Sequence, residues 1–139
     1  MNPINVALKE YGVTTIQGVL DNPRIEKYFS DIGHGYIKDD ETAWCACFAN
    51  WVLKQCGYDG TNSLLARSFL NLGQETTEPK MGDIVVLWRI SKPSGFGHVG
   101  FYISETPYSI FILGGNQMGQ VNISEFPKYR LLGYRKYNA

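Results

Sequence analysis

The sequence predicts an α+β fold in which N-terminal helices pack against a C-terminal antiparallel sheet. Helix start and stop signals fill the first half of the chain, whereas short apolar runs with strand spacing fill the second half, from Asp83 onward. Strands that follow one another without helices between them favour antiparallel pairing. The 139 residues have the size of one compact domain, and we expect a single domain over residues 1–139.

Four segments before residue 74 carry helix signals. Each begins near a capping residue or a proline and ends before a glycine, which commonly terminates helices. The predicted helices begin at Asn2-Pro3 and stop by Gly12, run from Asp21 to Ser30 before Gly33, run from Thr42 to Cys56 before Gly57, and run from Thr61 to Leu72 before Gly73.

Five segments after residue 82 carry strand signals. They are short, rich in β-branched and aromatic residues, and separated by glycine, proline or polar turn residues. The predicted strands are DIVVLWRI (83–90), HVGFYIS (98–104), SIFIL (109–113), QVNIS (120–124) and LLGYRKY (131–137).

The charge balance and the hydropathy limit the partners. The 13 basic and 13 acidic residues cancel, and the chain has no basic block, so we expect no nucleic-acid partner. No apolar run reaches the roughly 18 residues of a membrane span. The N-terminal segment lacks a basic stretch followed by an apolar one, so we expect synthesis in the cytoplasm without a signal peptide. We also expect a monomer.

Cys45 is the first candidate functional residue. Thr42 is the predicted N-cap of its helix, which places Cys45 in the first turn, where free N–H groups and the helix dipole favour a thiolate. The alternative is a buried cysteine that only packs. Cys47 lies roughly 200° further around the helix and cannot share a site with Cys45. Because this spacing does not suit zinc either, we expect no metal and no cofactor.

His98 and Asn116 are the second and third candidates. Only His34 and His98 could act as a base near neutral pH, and His98 opens a predicted strand whereas His34 lies between glycines. A hairpin centred on Thr106-Pro107 would bring Asn116 beside His98, where its amide could orient the imidazole. The alternative is that Gly-Gly-Asn is only a turn. A register shifted by one residue would make Gln117 the orienting residue.

Several segments together resemble a known family. They are DETAWCACF (40–48), ARSFL (66–70), GDIV (82–85), GHVGF (97–101), GGNQ (114–117) and LLGYR (131–135). Their order and spacing resemble the NlpC-type and CHAP-type cell-wall hydrolases, in particular a small phage- and prophage-associated group. The resemblance spans roughly residues 40 to 136, and departs from the usual pattern at Cys47 and Phe69. The first 35 or so residues match no part of it.

The resemblance implies a papain-like fold and a cysteine hydrolase. Cys45 would be the nucleophile, His98 the base and Asn116 the orienting residue, in a catalytic core of residues 36–139 preceded by an added helical segment, 1–35. The implied substrate is the peptidoglycan peptide stem, cut as an endopeptidase or an N-acetylmuramoyl-L-alanine amidase. Substrate-binding candidates are Asp40, Glu41, Trp44 and Gln117, although Asp40 and Glu41 could equally stabilise the helix dipole.

Two other functions stay open. A papain-like domain could act on a protein or lipid, or the chain could be an inactive module that binds the wall through its nine tyrosines and three tryptophans. If the chain is a wall hydrolase, it must reach the wall after release, or by an export route other than a signal peptide.

Overall fold

In the part of the chain that the structure describes, three α-helices precede a six-stranded sheet, which confirms the predicted α+β class. The computed structural model describes residues 2–15, 22–35 and 44–137. The helices are α1 (Pro3–Lys9), α2 (Pro23–Asp31) and α3 (Cys45–Gln55), and the strands are β1 (Gln74–Thr76), β2 (Ile84–Trp88), β3 (Gly97–Glu105), β4 (Ser109–Gln117), β5 (Gln120–Pro127) and β6 (Leu131–Lys136). Across these three described ranges, no helix has the length and hydropathy to cross a bilayer.

The first two helices begin where asparagine and proline occur together. The side chains of Asn2 and Asn22 accept hydrogen bonds of 2.8 Å from the backbone N–H groups two residues on, and a proline follows each. Such caps satisfy N–H groups that have no partner inside the helix. The second helix therefore starts after Asn22 rather than at Asp21, which lies outside the described residues.

The sheet is antiparallel throughout, in the order β1-β6-β2-β3-β4-β5. Because successive side chains point to opposite faces, it has two apolar faces. One face packs with the helices, and α3 contacts both β3 and β4. The other face forms a second buried cluster, which comprises Val85, Leu87, Tyr102, Ile110, Ile112 and Tyr134.

The N-terminal helices cover α3, whose residues from Cys45 to Leu53 are all buried. The Glu10 carboxylate accepts two hydrogen bonds from the Arg24 guanidinium and one of 2.7 Å from the Tyr28 hydroxyl. Tyr28 in turn stacks at a tilt on Trp51 of α3, with ring centroids 4.8 Å apart. A bidentate ion pair therefore joins α1 to α2, and aromatic packing joins them to α3.

The predicted helix over 61–72 was wrong over its first half. Only Ala66–Asn71 is helical, and it is a 3-10 helix. Before it, the Asn50 side chain binds the loop: its oxygen accepts from Thr61 N–H at 2.8 Å, and its nitrogen donates to the Ser63 carbonyl at 2.9 Å. Asn62 has a φ of +53°. Polar side chains that bond to nearby backbone groups compete with helix formation, which explains the loop.

Candidate active site

Cys45 is the first residue of α3, and its side chain is only 7% exposed. Trp44 occupies the N-cap position and makes no side-chain capping bond. The predicted N-cap, Thr42, lies outside the described residues, as do Asp40 and Glu41. The first intrahelical bond is donated by Phe48 N–H to the Trp44 carbonyl at 2.9 Å. The N–H groups before Phe48 therefore have no helical partner, which favours negative charge beside Cys45.

Gly115 brings this end of α3 onto the sheet. A Cβ atom at Gly115 would lie 2.7 Å from Cβ of Phe48 and 2.8 Å from Cζ3 of Trp44. Contacts that short do not occur between carbon atoms that are not bonded, so only glycine allows this approach. The second glycine of the GGNQ segment thus sets how closely the Cys45 end of α3 packs against β4.

His98 is the second residue of β3, and it lies close enough to the Cys45 thiol for each group to shift the pKa of the other. It lies opposite Leu87 of β2 and is 7% exposed. The sequence prediction that Cys45 and His98 lie together is therefore consistent with the geometry of the structure.

The two groups shift each other's pKa in opposite directions. Burial alone would raise the pKa of the Cys45 thiol, but the positive charge and hydrogen bond of His98 and the N–H groups of Val99 and Ala46 lower it below the usual value. Burial alone would lower the pKa of His98, but the Cys45 charge and the interactions of the ring with Cys45 and with the Gln117 oxygen raise it. Each of the two groups therefore favours the charged form of the other, and the thiolate is the reactive form of a cysteine.

Gln117 holds the other edge of the His98 ring. Its Oε1 lies 3.0 Å from Nε2 of His98. Its amide nitrogen donates to the Ile112 carbonyl at 3.1 Å and to the Asn122 carbonyl at 2.8 Å. Because those partners are carbonyl oxygens, the Gln117 oxygen must face the ring, and Nε2 of His98 must carry the proton. The remaining ring nitrogen, Nδ1, is left for Cys45.

Asn116 does not make the contact that the hairpin count predicted. Ser104 pairs with Phe111 rather than with Ser109, so the turn sits further along the chain. A bulge between Tyr102 and Ser104 recovers one residue, and Phe101 pairs with Leu113. The predicted centre at Thr106-Pro107 would have paired Phe101 with Ile112. The register is therefore shifted by one residue at the level of the site.

Near the end of β4 the side chains do not alternate regularly between the two faces of the sheet. This explains why Gln117, and not Asn116, contacts His98. Asn116 has a φ of +56°, and the pairing of β4 with β5 shifts between Gly114 and Gln117. A Cβ at Gly114 would lie 2.5 Å from Oε1 of Gln117, so the Gln117 side chain occupies the face of Gly114 rather than that of Gly115. Strict alternation would have placed residue 116 there. The bulge at Asn116 therefore places the side-chain amide of Gln117, rather than that of Asn116, beside His98.

An aromatic ring covers the imidazole. The rings of His98 and Phe126 stack with centroids 5.0 Å apart and an angle of 30° between their planes. An apolar cover keeps water from the hydrogen bond between His98 and Gln117, which strengthens that bond. Sequence reasoning missed Phe126, because it lies 28 positions from His98 and no motif connects the two.

The structure gives the other sequence-predicted residues different surroundings from those expected. Trp44 was predicted to bind substrate, but it has no exposed surface, and its indole N–H donates to Thr15 Oγ1 at 3.3 Å. Gln117, predicted to bind substrate, is 3% exposed and is bonded to His98 instead. Nε2 of His34 lies 2.7 Å from the Asn62 carbonyl. Cys47 has no exposed surface, and burial raises its pKa, so its thiol is unreactive.

Within residues 2–15, 22–35 and 44–137, no group of three or more His, Cys, Asp or Glu side chains could hold a metal ion. In comparisons with known proteins, a family described as the CHAP domain matches residues 37–116. That range contains Cys45 and His98 and ends one residue before Gln117. No curated protein matches the chain.

Proposed function

Because the chain belongs to the CHAP domain family, whose members are in general hydrolases that act on peptidoglycan, we propose that it cleaves an amide bond of the cell-wall peptide with Cys45 as nucleophile. His98 acts as base and then acid, and Gln117 orients it. The observation that carries the proposal is the placement of Cys45, at the start of α3, beside His98, which is hydrogen-bonded to Gln117.

In the first step, the Cys45 thiolate attacks the carbonyl carbon of the scissile amide. A carbon–sulfur bond forms, and the carbonyl oxygen becomes an oxyanion. The N–H groups at the start of α3, which have no helical partner, are suited to stabilise that negative charge. The His98 imidazolium gives its proton to the amide nitrogen, the carbon–nitrogen bond breaks, and the amine leaves.

In the second step, neutral His98 takes a proton from water as the water oxygen attacks the thioester carbonyl. A carbon–oxygen bond forms, the carbon–sulfur bond breaks, and the carboxylic acid product leaves. The Cys45 thiolate and the His98 imidazolium are restored. Gln117 keeps its hydrogen bond to Nε2 throughout, so the imidazole needs no reorientation between the two steps.

Release of muropeptides tests the proposal. Purified peptidoglycan incubated with the protein should yield new fragments by mass spectrometry, and the new end groups distinguish an endopeptidase from an N-acetylmuramoyl-L-alanine amidase. Cys45→Ala should release none. Cys47→Ala is the matched control, since it removes a buried thiol from the same helix, and it should retain release.

Thiol reactivity separates the alternatives. A fast reaction of Cys45 with iodoacetamide, without fragment release from walls of several chemotypes, would favour a non-murein amide substrate. A slow reaction together with binding to intact walls would favour an inactive wall-binding module.

A further inference from the structure

A cleft of about 380 Å³ borders the side of His98 that faces Gln117 and Phe126. No residue of α3 lines it. In the proposed mechanism, Cys45 and the start of α3 bind the acyl part of the substrate, whereas His98 gives its proton to the departing amine. The amine nitrogen takes its proton at Nδ1, on the Cys45 side of the ring, and the rest of the leaving fragment can extend past the imidazole into this cleft.

Arg130 is held in this cleft by Trp88. Its Nε donates to the Trp88 carbonyl at 2.9 Å, and its guanidinium carbon lies 5.8 Å from the centroid of the Trp88 ring. Both contacts fix the guanidinium and leave its two terminal nitrogens unused. Among the described residues, no carboxylate lies within ion-pair distance of Arg130. A fixed guanidinium without an anion is suited to bind a carboxylate in the bidentate geometry.

Arg89 adds a second positive charge to the cleft wall, and Glu125 adds one negative charge. The two arginines and the glutamate together carry a net charge of +1, to which the imidazolium form of His98 adds a further positive charge. Neither Arg89 nor Glu125 has an ion-pair partner in the part of the chain that the structure describes. The charge of Arg130 also acts against protonation of His98, since it lowers the pKa of that group. An anion bound at Arg130 would offset this effect of the Arg130 charge on the pKa of His98.

We propose that this cleft binds the amine-side fragment of the substrate and selects fragments that carry a free carboxylate, held by Arg130 with Arg89 in support. This inference rests on the proposed amide hydrolysis, because the mechanism is what assigns the leaving fragment to the His98 side. The substrate class is therefore a wall peptide in which the residue after the scissile bond, or the next one along, has an ionised carboxyl group.

Two peptides that differ at one group provide the test. They have the same sequence and scissile bond, but the carboxyl group of the amine-side fragment is free in one and is a carboxamide in the other. The wild-type protein should cleave the free acid at least about tenfold faster in kcat/KM, since bonds to charged groups contribute about 1.5–3 kcal/mol. Equal rates on the two peptides would overturn the inference while leaving the hydrolase function intact.

Single substitutions test whether the preference for the peptide with a free carboxylate comes from the cleft. Arg130→Gln should remove most of it by slowing cleavage of the free acid relative to the carboxamide, since any change in the pKa of His98 affects both peptides. Arg130→Lys should restore part of the preference, because lysine keeps the charge but not the bidentate geometry. Glu125→Gln should increase the preference. Lys92→Gln, which removes an exposed cation outside the cleft, is the control and should leave the preference unchanged. A preference that survives Arg130→Gln would contradict the assignment.

A binding measurement distinguishes failure of the inference from failure of the proposed function. The amine-side fragment with a free carboxylate should slow alkylation of Cys45 by iodoacetamide, and its carboxamide should do so only at higher concentration. Protection without hydrolysis of either peptide would refute the hydrolase proposal but support the cleft. Equal protection by both fragments, or none by either, would refute the carboxylate selection whether or not the peptides are cleaved.

Discussion

Gln117→Ala tests whether the amide bonded to His98 supports catalysis. The substitution removes the 3.0 Å hydrogen bond between Oε1 and Nε2 of His98, in a position where the side chain is 3% exposed. A hydrogen bond to a charged partner is worth about 1.5–3 kcal/mol. At about 1.36 kcal/mol for each factor of ten, its loss should lower kcat/KM by roughly 10- to 150-fold. The nucleophile and the base remain, so activity should fall without disappearing.

The pH dependence separates this effect from general damage to the fold. The hydrogen bond that Nε2 of His98 donates to Gln117 helps to raise the pKa of His98. Hydrolysis needs the Cys45 thiolate and the His98 imidazolium, so kcat/KM should fall at pH values above the pKa of His98. Removing the bond lowers that pKa, so the alkaline limb of the kcat/KM profile should move to lower pH in Gln117→Ala. A substitution that merely loosened the fold would not move that limb selectively.

Asn116→Gly is the matched control, since glycine keeps the φ of +56° while the amide is removed. Its kcat should stay within about twofold of wild type, the change of about 0.5 kcal/mol expected away from key contacts. Circular dichroism and thermal unfolding of both variants verify the fold. An alkaline limb that does not move in Gln117→Ala, or a loss of kcat in Asn116→Gly as large as in Gln117→Ala, would refute the assignment of the orienting role.

Three further predictions concern the thiols, the histidines and the contact of α3 with the sheet. Mass spectrometry after brief iodoacetamide treatment should find the label on Cys45 and not on Cys47, because the pKa of Cys45 is lowered and that of Cys47 is raised; label on Cys47 first would contradict this. His98→Ala should abolish hydrolysis and His34→Ala should leave it almost unchanged, as measured by muropeptide release; the reverse would mean that the base is misassigned. Gly115→Ala should lower the free energy of unfolding by about 1–3 kcal/mol, as overpacking does, because the new methyl group would lie 2.7 Å from a side-chain carbon of α3; an unchanged denaturation midpoint would refute the close approach.

Much of the fold could be predicted, because its signals are local. The caps at Asn2 and Asn22 are visible as asparagine followed by proline, and β2 to β6 follow alternating apolar runs. The short β1 strand was not predicted, because its three residues, Gln74–Thr76, carry no apolar pattern. Its pairing with β6 depends on the arrangement of the rest of the sheet, which a local sequence pattern does not encode.

The candidate site was predictable to within one residue. Cys45 was predicted from a helix start and His98 from a strand start. Both signals depend on only a few neighbouring residues. The orienting amide depends on the bulge at Ile103, the turn position and the positive φ of Asn116. Those are backbone details set by tertiary packing, and each moves the register by one residue. The GGNQ segment therefore contains the residue that bonds His98, Gln117, next to the predicted one, Asn116.

The segment 12–15 ties the N-terminal helices to the hairpin that carries Gln117. Thr14 bridges Gln120, Thr15 N–H donates to the Gly119 carbonyl at 2.7 Å, and Gly12 N–H donates to the Val121 carbonyl at 2.8 Å. The matched family range begins only at residue 37. A protein trimmed to that range would lose the brace on its orienting amide and would expose aromatic surface on α3. Residues 12–15 lie outside the matched range, yet they hold the hairpin whose Gln117 bonds His98.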